Sequence, residues 1–267
     1  MTTRAQNPWE VLQGLQQRVA TVDQQLLRTW QAVAALQAES TLRLQQRQSR
    51  MPIEFRSQLG EDVAAWNLLN RQTSGFFIEA GAFDGYECSV TYALEAVGWE
   101  GLLVEPIPQR AHQCATRRPH SRVVNAVLSN QGGGAGEFWV VDDAYGGMLS
   151  YSKATGAHLK MVGALPKSAI SVPRTTLNEL LADHHGEIDL VVLDVEGAEL
   201  DVLQGFDLPR FRPRLLLVEE NADIKSAVQN FMQAHGYRNP GSLASDGIYI
   251  RDDQADMIER FKFMVAI

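Results

Sequence analysis

One stretch near residue 80 restricts the fold of this chain more than any other. It runs from the apolar segment Phe76–Ala80 through Gly81 and Gly85 into a helical pattern that begins near Cys88. This order predicts a β-strand, a tight turn and an α-helix. In an open parallel sheet, a nucleotide-like ligand binds at the carboxyl end of such a strand. The glycines let it approach the backbone, and the helix N-terminus offers free N–H groups.

The next predicted strand helps to distinguish a ligand-binding loop from an ordinary strand-to-helix turn. The apolar segment Gly101–Val104 is followed by Glu105, where an acidic side chain would bind the two ribose hydroxyls of a nucleoside. The spacing of Gly81 and Gly85 does not match G-x-G-x-x-G. A dinucleotide site that binds pyrophosphate is therefore disfavoured, and a nucleoside without phosphates is favoured.

Strands and helices alternate from Phe76 onward, which predicts an α/β fold with a parallel sheet covered by helices on both faces. The apolar run Ile188–Leu193 is typical of a central strand buried on both sides. Three acidic residues follow it: Asp194, Glu196 and Glu199. We expect them at the mouth of the same crevice as Gly81 and Glu105. Charge balance at a helix N-terminus would account for Glu199, whereas Asp194 would be costly there without a partner.

Residues 10–44 differ from the rest of the chain in having no proline and no glycine after Gly14, with many Gln, Ala, Leu and Arg. Apolar residues repeat there in heptads, with Thr29 the exception: Leu12, Val19, Leu26 and Val33 at a, and Leu15, Val22 and Leu36 at d. So narrow a stripe predicts a coiled coil that joins copies of the chain, rather than a helix packed on its own domain. Pro52 ends the helical pattern. We therefore expect two domains, a helical segment over residues 1–52 and a globular domain over residues 53–267.

The composition narrows the classes of function. A net charge of −8 argues against broad nucleic-acid binding, which needs clustered Lys and Arg. The chain has no run of eighteen apolar residues, and residues 1–17 lack the apolar segment of a secretory signal. We therefore expect no membrane span, no cleaved signal and a cytoplasmic location. Cys88 and Cys114 are predicted to be small buried residues on helices, without a function.

Several short motifs follow one another in a fixed order: Ser57-Gln58-x-Gly60-Glu61-Asp62, Phe77-Ile78-Glu79-Ala80-Gly81-Ala82-x-Asp84-Gly85, Gly98-Trp99-x-Gly101-Leu102-Leu103-Val104-Glu105-Pro106, Asn125-Ala126, and Asp189 with Asp194-Val195-Glu196-Gly197-Ala198-Glu199. Their order and spacing resemble those of the FkbM family of S-adenosylmethionine-dependent methyltransferases, over roughly Ile53 to Arg251. The resemblance implies a Rossmann-like class I methyltransferase domain, with a seven-stranded, mostly parallel sheet whose last strand is reversed. It also implies methyl transfer to an oxygen, often a hydroxyl of a sugar, glycan or polyketide.

The resemblance also implies a set of cofactor-binding residues: Glu79, Gly81, Asp84 and Gly85 in the loop, Glu105 at the ribose, Asn125 and Ala126 at the adenine edge, and Asp194. The family commonly has Val-Asp-Val-Gly-Ala where this chain has Ile78-Glu79-Ala80-Gly81-Ala82. The carboxylate of Glu79 is therefore displaced by one methylene relative to that pattern. Asp194 and Glu196 match the acidic motif that follows the fourth strand of the family.

For the reaction itself, the enzyme must hold the acceptor oxygen in line with the S–CH₃ bond and accept its proton. Asp194 is the first candidate base, Glu196 the second and His158 the third. A version with Mg²⁺ between Asp194 and the pair Glu219 and Glu220 ranks below the metal-free one.

We expect the insertion at residues 142–167 to select a small-molecule or glycan acceptor. A non-catalytic scaffold is the alternative from another class, and a nicotinamide dehydrogenase is a third interpretation.

Overall fold

The structure is a computed structural model that describes residues 8–265. Ten helices and ten strands lie in this range. The helices are α1 (Pro8–Leu44), α2 (Glu61–Leu68), α3 (Tyr92–Val97), α4 (Pro108–Arg117), α5 (Gly156–Val162), α6 (Leu177–Leu180), α7 (Glu199–Gln204), α8 (Leu208–Phe211), α9 (Lys225–Ala234) and α10 (Ala255–Val265). The strands are β1 (Phe76–Ala80), β2 (Glu100–Val104), β3 (Arg122–Val124), β4 (Val127–Leu128), β5 (Ala135–Val141), β6 (Lys167–Thr175), β7 (Leu190–Leu193), β8 (Leu215–Glu219), β9 (Tyr237–Leu243) and β10 (Asp246–Arg251).

Seven strands form the main sheet, in the order β3-β2-β1-β7-β8-β10-β9. Neighbouring strands from β3 to β8 are parallel, whereas β10 is antiparallel to both β8 and β9. The seven-stranded, mostly parallel sheet with a reversed last strand is therefore confirmed. Its order changes direction at β1, between β2 and β7, which is where ligands bind in open α/β sheets.

Alternate residues of the central strands enter two separate cores. On β1, Phe77 packs in the core beneath α1, α2, α3 and α10, and Ile78 packs in the core beneath α6, α7, α8 and α9. All four residues of β7 are buried, as expected for a strand covered on both faces. The covering helices hold the sheet fixed and leave its carboxyl edge to carry the loops.

A smaller sheet of three strands, in the order β4-β6-β5, is inserted after β3. The segment from Arg122 to Val127 is typical of a single strand in the sequence, but the chain leaves the main sheet at Val124, and Val127 pairs with β6. The side chain of Asn125 explains the break, because its Nδ2 donates to the carbonyls of Glu105 and Pro106 at 2.8 Å each. The insertion expected over residues 142–167 lies between β5 and β6 and contains α5.

The long helix α1 uses its two sides differently. Ala34, Ala38 and Leu42 on one side are buried in the main core. The apolar heptad positions are exposed, with exposed fractions from 45% at Leu12 to 66% at Leu36. The helix is thus present as predicted, while the coiled-coil pairing stays a prediction. None of the described helices, α1 included, is long and apolar enough to cross a membrane.

Arg118 is wholly buried and joins the end of α4 to the loop after β1. Its Nε donates to Glu95 Oε2 at 2.7 Å, and its Nη1 lies 3.5 Å from Glu79 Oε2 and donates to the Gly85 carbonyl at 3.2 Å. A buried ion pair stabilises a fold only while both partners are present, because a single buried charge is strongly unfavourable.

We predict that Arg118→Met lowers the free energy of unfolding by about 3 to 5 kcal/mol, because Glu95 would remain buried without its partner. The matched control is Arg43→Met on the exposed surface of α1, where Arg43 lies 3.8 Å from Glu39. That variant should lose about 1 kcal/mol or less. Urea denaturation measures both effects, and equal losses would contradict a structural role for Arg118.

Candidate functional site

A cavity of about 580 Å³ opens at the carboxyl ends of β1, β2, β7 and β8. This volume lies within the range of about 300 to 1,000 Å³ that is usual for small-ligand sites. Gly81, Glu105 and Asp194 all line it. The structure therefore brings the predicted glycine turn and the two predicted acidic strand ends to one wall, although 113 residues separate Gly81 from Asp194 along the chain.

Gly81 allows the loops after β1 and β7 to touch. Its φ is +82°, and an added Cβ would overlap the carbonyl oxygen of Asp194 and lie 2.9 Å from the carbonyl carbon. Two backbone bonds fix this approach: Gly81 N donates to Val104 O at 3.0 Å, and Asp194 N donates to Ala80 O at 3.1 Å. Any side chain at position 81 would push the loops apart and change the cavity floor.

Glu105 follows β2 and is 4% exposed. Its Oε2 accepts from Phe83 N at 2.9 Å, and its Oε1 accepts from Ile107 N at 2.7 Å. Burial raises the pKa of Glu105 to about 7, although these two backbone N–H groups act in the opposite direction. The N–H groups fix the carboxylate in place, and each oxygen keeps a further lone pair for a ligand hydroxyl.

Further carboxylates line the cavity after β7 and β8, beside Asp194. Asp194 is open to the cavity but surrounded by protein. This burial and the nearby charge of Glu219 raise the pKa of Asp194 well above its ordinary value. Burial is likewise the main reason that the pKa of Glu219 is raised to about 8 and that of Asp246 to about 7.

The charge of the cavity wall is one-sided. Eight of its described residues are acidic: Glu61, Glu79, Glu87, Glu105, Asp194, Glu196, Glu219 and Asp246. None of the described lining residues is Lys, Arg or His. The cavity therefore suits a ligand that carries positive charge and disfavours a phosphate group.

His158 on α5 binds the loop that carries Glu196. Its Nδ1 lies 2.9 Å from Glu196 Oε2, and its Nε2 lies 3.0 Å from the carbonyl oxygen of Leu149. Because both partners accept, both ring nitrogens donate, and the hydrogen bond to Glu196 is the main reason that the pKa of His158 is raised. His158 therefore has no ring nitrogen left to accept a substrate proton. Instead, it ties the inserted segment to the loop after β7.

Glu79 lines the cavity, but its oxygens are used within the protein. They accept hydrogen bonds from Val90 N at 2.8 Å, from Thr91 Oγ1 at 2.6 Å and from the hydroxyl of Ser89. The carboxylate thus fixes the chain that leads into α3.

Cys88, in the same loop, has a φ of +60° and precedes α3. Our prediction that it lies on a helix was wrong.

Four predicted cofactor-binding residues are not among the lining residues: Asp84, Gly85, Asn125 and Ala126. Asp84 accepts from Tyr86 N and Glu87 N and pairs with Arg117, so it closes the turn. An added Cβ at Gly85 would lie 2.8 Å from Cys114 Sγ. Ala126 is buried, and Asn125 bonds to the carbonyls that follow β2. All four support the wall from behind, since their polar and small groups are used in loop packing.

Much of the remaining wall comes from β5 and from the insertion between β5 and β6. Phe138 lies on β5, and the other residues lie in the insertion: Tyr145, Gly147, Met148, Leu149, Ser150, Ser152 and Met161. Ser245 and Asp246 join the wall from the turn between β9 and β10. In the sequence, only two features indicated that these residues line the site: the acidic side chain of Asp246 and the expected position of the insertion at the carboxyl edge of the sheet.

The set considered for Mg²⁺ is not assembled in the cavity wall. Glu220 is absent from the lining; it accepts a hydrogen bond from Tyr249 Oη and lies 3.7 Å from Lys225 Nζ. Within residues 8–265, no group of three or more His, Cys, Asp or Glu is arranged to hold a metal ion.

A family model described as the methyltransferase FkbM domain matches residues 79–239. No protein of curated function matches the chain significantly. Sixteen chains of solved structures do match. One is precorrin-6y C5,15-methyltransferase from Geobacter metallireducens, with 12% identity and a TM-score of 0.38, over 66% of this chain and 71% of that chain. A second is a TehB-like SAM-dependent methyltransferase from Corynebacterium glutamicum, with 11% identity and a TM-score of 0.40, over 81% of this chain and 95% of that chain. A third is a putative RNA methyltransferase from Pyrococcus horikoshii, with 11% identity and a TM-score of 0.37, over 76% of this chain and 85% of that chain.

We predict that Gly81→Ala destabilises the protein more than Gly133→Ala does. Both glycines have a φ of +82°, but an added Cβ at Gly133 meets nothing within 4 Å. The left-handed backbone alone should cost about 1 to 2 kcal/mol in both variants, and the clash with Asp194 should add about 1 to 3 kcal/mol at Gly81. Urea denaturation compares them, and equal losses would mean that the contact with Asp194 is not restrictive.

We also predict that the free energy of unfolding falls as the pH rises from 6 to 8. The pKa values of Glu105, Glu219 and Asp246 are raised in the folded state. The folded protein therefore binds more protons than the unfolded chain over this window, and loses stability as they leave. Glu219→Gln should reduce the slope, whereas Glu100→Gln on the exposed start of β2 should not. Urea denaturation at both pH values tests this, and an unchanged slope in Glu219→Gln would contradict it.

Proposed function

Because the chain belongs to the FkbM methyltransferase domain family, we propose that it transfers a methyl group from S-adenosylmethionine to a hydroxyl oxygen of a sugar, glycan or polyketide-like acceptor. The family match makes the chain an S-adenosylmethionine-dependent methyltransferase; the oxygen and the acceptor class are our proposal. One observation carries it: Gly81, Glu105 and Asp194 line a single open cavity at the carboxyl edge of the sheet.

The residues of the cavity fit the cofactor. The carboxylate of Glu105, held by two backbone N–H groups, would accept hydrogen bonds from the two ribose hydroxyls. The side chains of Val127, Leu128 and Phe138 supply apolar wall for the adenine ring, with Asn125 and Ala126 supporting it from behind. The acidic lining suits the positive charges of the sulfonium and the amino group. When bound, S-adenosylmethionine supplies a methyl group that its positively charged sulfur makes reactive.

Asp194 is the group that we assign to the acceptor proton. A hydroxyl is a poor nucleophile unless a base accepts its proton as the new bond forms, which contributes about 10²- to 10⁴-fold. Burial and the nearby charge of Glu219 raise the pKa of Asp194, and a carboxylate with a raised pKa is a stronger base than an ordinary aspartate. Its neighbour Glu196 is bound to His158, so we assign it the role of holding this loop and the insertion together.

The acceptor would bind between the loop after β7 and the insertion between β5 and β6. Tyr145, Met148 and Met161 give that side of the cavity apolar surface, which would exclude water from the reacting oxygen. Our preferred mechanism uses no metal. Undiminished turnover in EDTA would agree with it, and loss of turnover that Mg²⁺ restores would revive the magnesium version.

We further propose that α1 joins copies of the chain within residues 10–44. On this view residues 1–52 serve assembly and residues 53–267 form the methyltransferase domain. The exposure of the heptad positions in a single chain supports this assignment. The cytoplasmic location stays a prediction from the sequence.

We predict that Glu105→Ala raises the dissociation constant of S-adenosylmethionine at least about 10-fold, because the ribose loses a charged acceptor. Asp194→Asn should change that constant little but lower methyl transfer by about 100-fold or more. Calorimetry measures binding. Transfer is measured with methyl-labelled cofactor and a panel of glycans or a cell extract.

The control for both variants is Glu100→Gln, on an exposed residue at the opposite end of β2. If the unaltered protein does not bind S-adenosylmethionine, the proposed function is wrong. If Asp194→Asn transfers label normally, Asp194 is not the base. If the same variant loses cofactor binding, Asp194 belongs to the cofactor site instead.

A further inference from the structure

The exposed heptad positions of α1 form an apolar stripe, which we call the seam: Leu12, Leu15, Val19, Val22, Leu26, Thr29, Val33 and Leu36. Its seven apolar members are each at least 45% exposed. They cover nearly four heptads. A stripe of this length on one helix is unusual for a face that stays in contact with water.

The globular domain does not cover the seam because it uses the other side of the helix. Ala34, Ala38 and Leu42 are buried against the domain, and Trp30 packs over Gly60. At 100° per residue, Ala34, Ala38 and Leu42 lie roughly opposite the midpoint of Val33 and Leu36, and Trp30 lies between the two sides. The described side chains from Leu12 to Leu26 are all exposed. At about 1.5 Å per residue, this part of the helix projects about 20 Å beyond the packed part.

The period of the seam indicates another helix with the same period. Apolar residues repeated every 3.5 positions fit a left-handed coiled coil, in which each copy supplies the same a and d residues. Thr29 is the one polar member, and its hydroxyl already donates to the Gln25 carbonyl at 2.8 Å. It therefore brings no unpaired hydroxyl into an interface. The combination of Val33 at a with Leu36 at d is the one that favours two strands.

The charges beside the seam favour one orientation. Arg18 occupies a g position and Asp23 the next e position, and both side chains are exposed. In a parallel coiled coil in register, each g residue faces the e residue five positions further along the partner. Arg18 of each copy then faces Asp23 of the other, which gives two attractive pairs. An antiparallel arrangement brings g positions against g positions, so it does not form this pair.

We propose that the seam binds a second copy of this chain, as a parallel two-stranded coiled coil in register. This inference rests on the proposed role of α1 in assembly and not on methyl transfer. The two catalytic domains lie on the outer sides of the paired helices, because each domain packs on the side of α1 away from the seam. Both cavities therefore stay accessible, and neither needs a residue from the other copy.

The first experiment measures the mass in solution by light scattering after size exclusion. One chain has a mass of 29.6 kDa, and we expect twice that value. Leu26→Asp should raise the dimer dissociation constant at least about 100-fold, because each copy places a charge where it buried a leucine. The control is Gln24→Asp, which adds the same charge at the outward f position and should stay dimeric. Circular dichroism and S-adenosylmethionine titration show that both variants remain folded.

The second experiment tests the orientation by disulfide cross-linking. In a Cys88→Ser background, Val22→Cys should form a dimer under oxidation, because identical d residues face each other in a parallel pair. Gln17→Cys, at an f position, should not. A monomer at micromolar concentration, a trimer or tetramer, equal effects of Leu26→Asp and Gln24→Asp, or a dimer without the Val22→Cys cross-link would each overturn the proposal. Since assembly is measured without methyl transfer, its failure leaves the proposed enzyme activity untouched.

Discussion

The contact between Gly81 and the backbone of Asp194 is the constraint on which the site depends. It exists because β1 and β7 are adjacent and parallel, so the loops that follow both strands begin at the same edge of the sheet. Only a residue without a Cβ lets those loops meet, and Asp194 N then donates to Ala80 O to close the end of the ladder. The meeting point is the floor of the cavity. Glu105, directly after β2, and Glu219, at the end of β8, flank it because those strands are the next neighbours on either side.

Carboxylates occupy two kinds of environment in this protein. Glu95 is buried against Arg118, and this pairing fixes the loop behind the cavity. Asp194, Glu219 and Asp246 line the cavity without a cationic partner among the lining residues, and desolvation by the surrounding protein together with the neighbouring negative charge raises their pKa values. Such unpaired enclosure lowers stability, and it is found at functional sites because a ligand or a proton can compensate for it. The presence or absence of a cationic partner thus separates the supporting carboxylate of Glu95 from the carboxylates that face the ligand.

Several parts of the site could be predicted because they depend on local patterns. Gly81 sits in a turn that needs left-handed backbone, and Glu105 ends an apolar strand; both features can be identified from a few neighbouring residues. The positions of Asp84, Gly85, Asn125 and Ala126 behind the wall could not be predicted in this way. Whether a polar or small residue in a loop faces a ligand or its own backbone depends on which loops pack against it. The insertion at residues 142–167 was expected at the site, but the individual side chains that it contributes to the wall could not be predicted for the same reason.

The sequence by itself determined the alternation of strands and helices, the parallel sheet that follows from it and the heptad period of α1, because each depends on residues close together in the chain. The number of strands came from the resemblance to the family. Tertiary structure alone decided that Val127 leaves the main sheet for a second one. It also decided that His158 is tied to Glu196 rather than free to act as a base, and that α1 buries the face opposite to its heptads. Each of these outcomes depends on contacts between residues that are distant in sequence. Local propensity does not determine them, because the free energy that decides between the alternatives comes from long-range packing and hydrogen bonding.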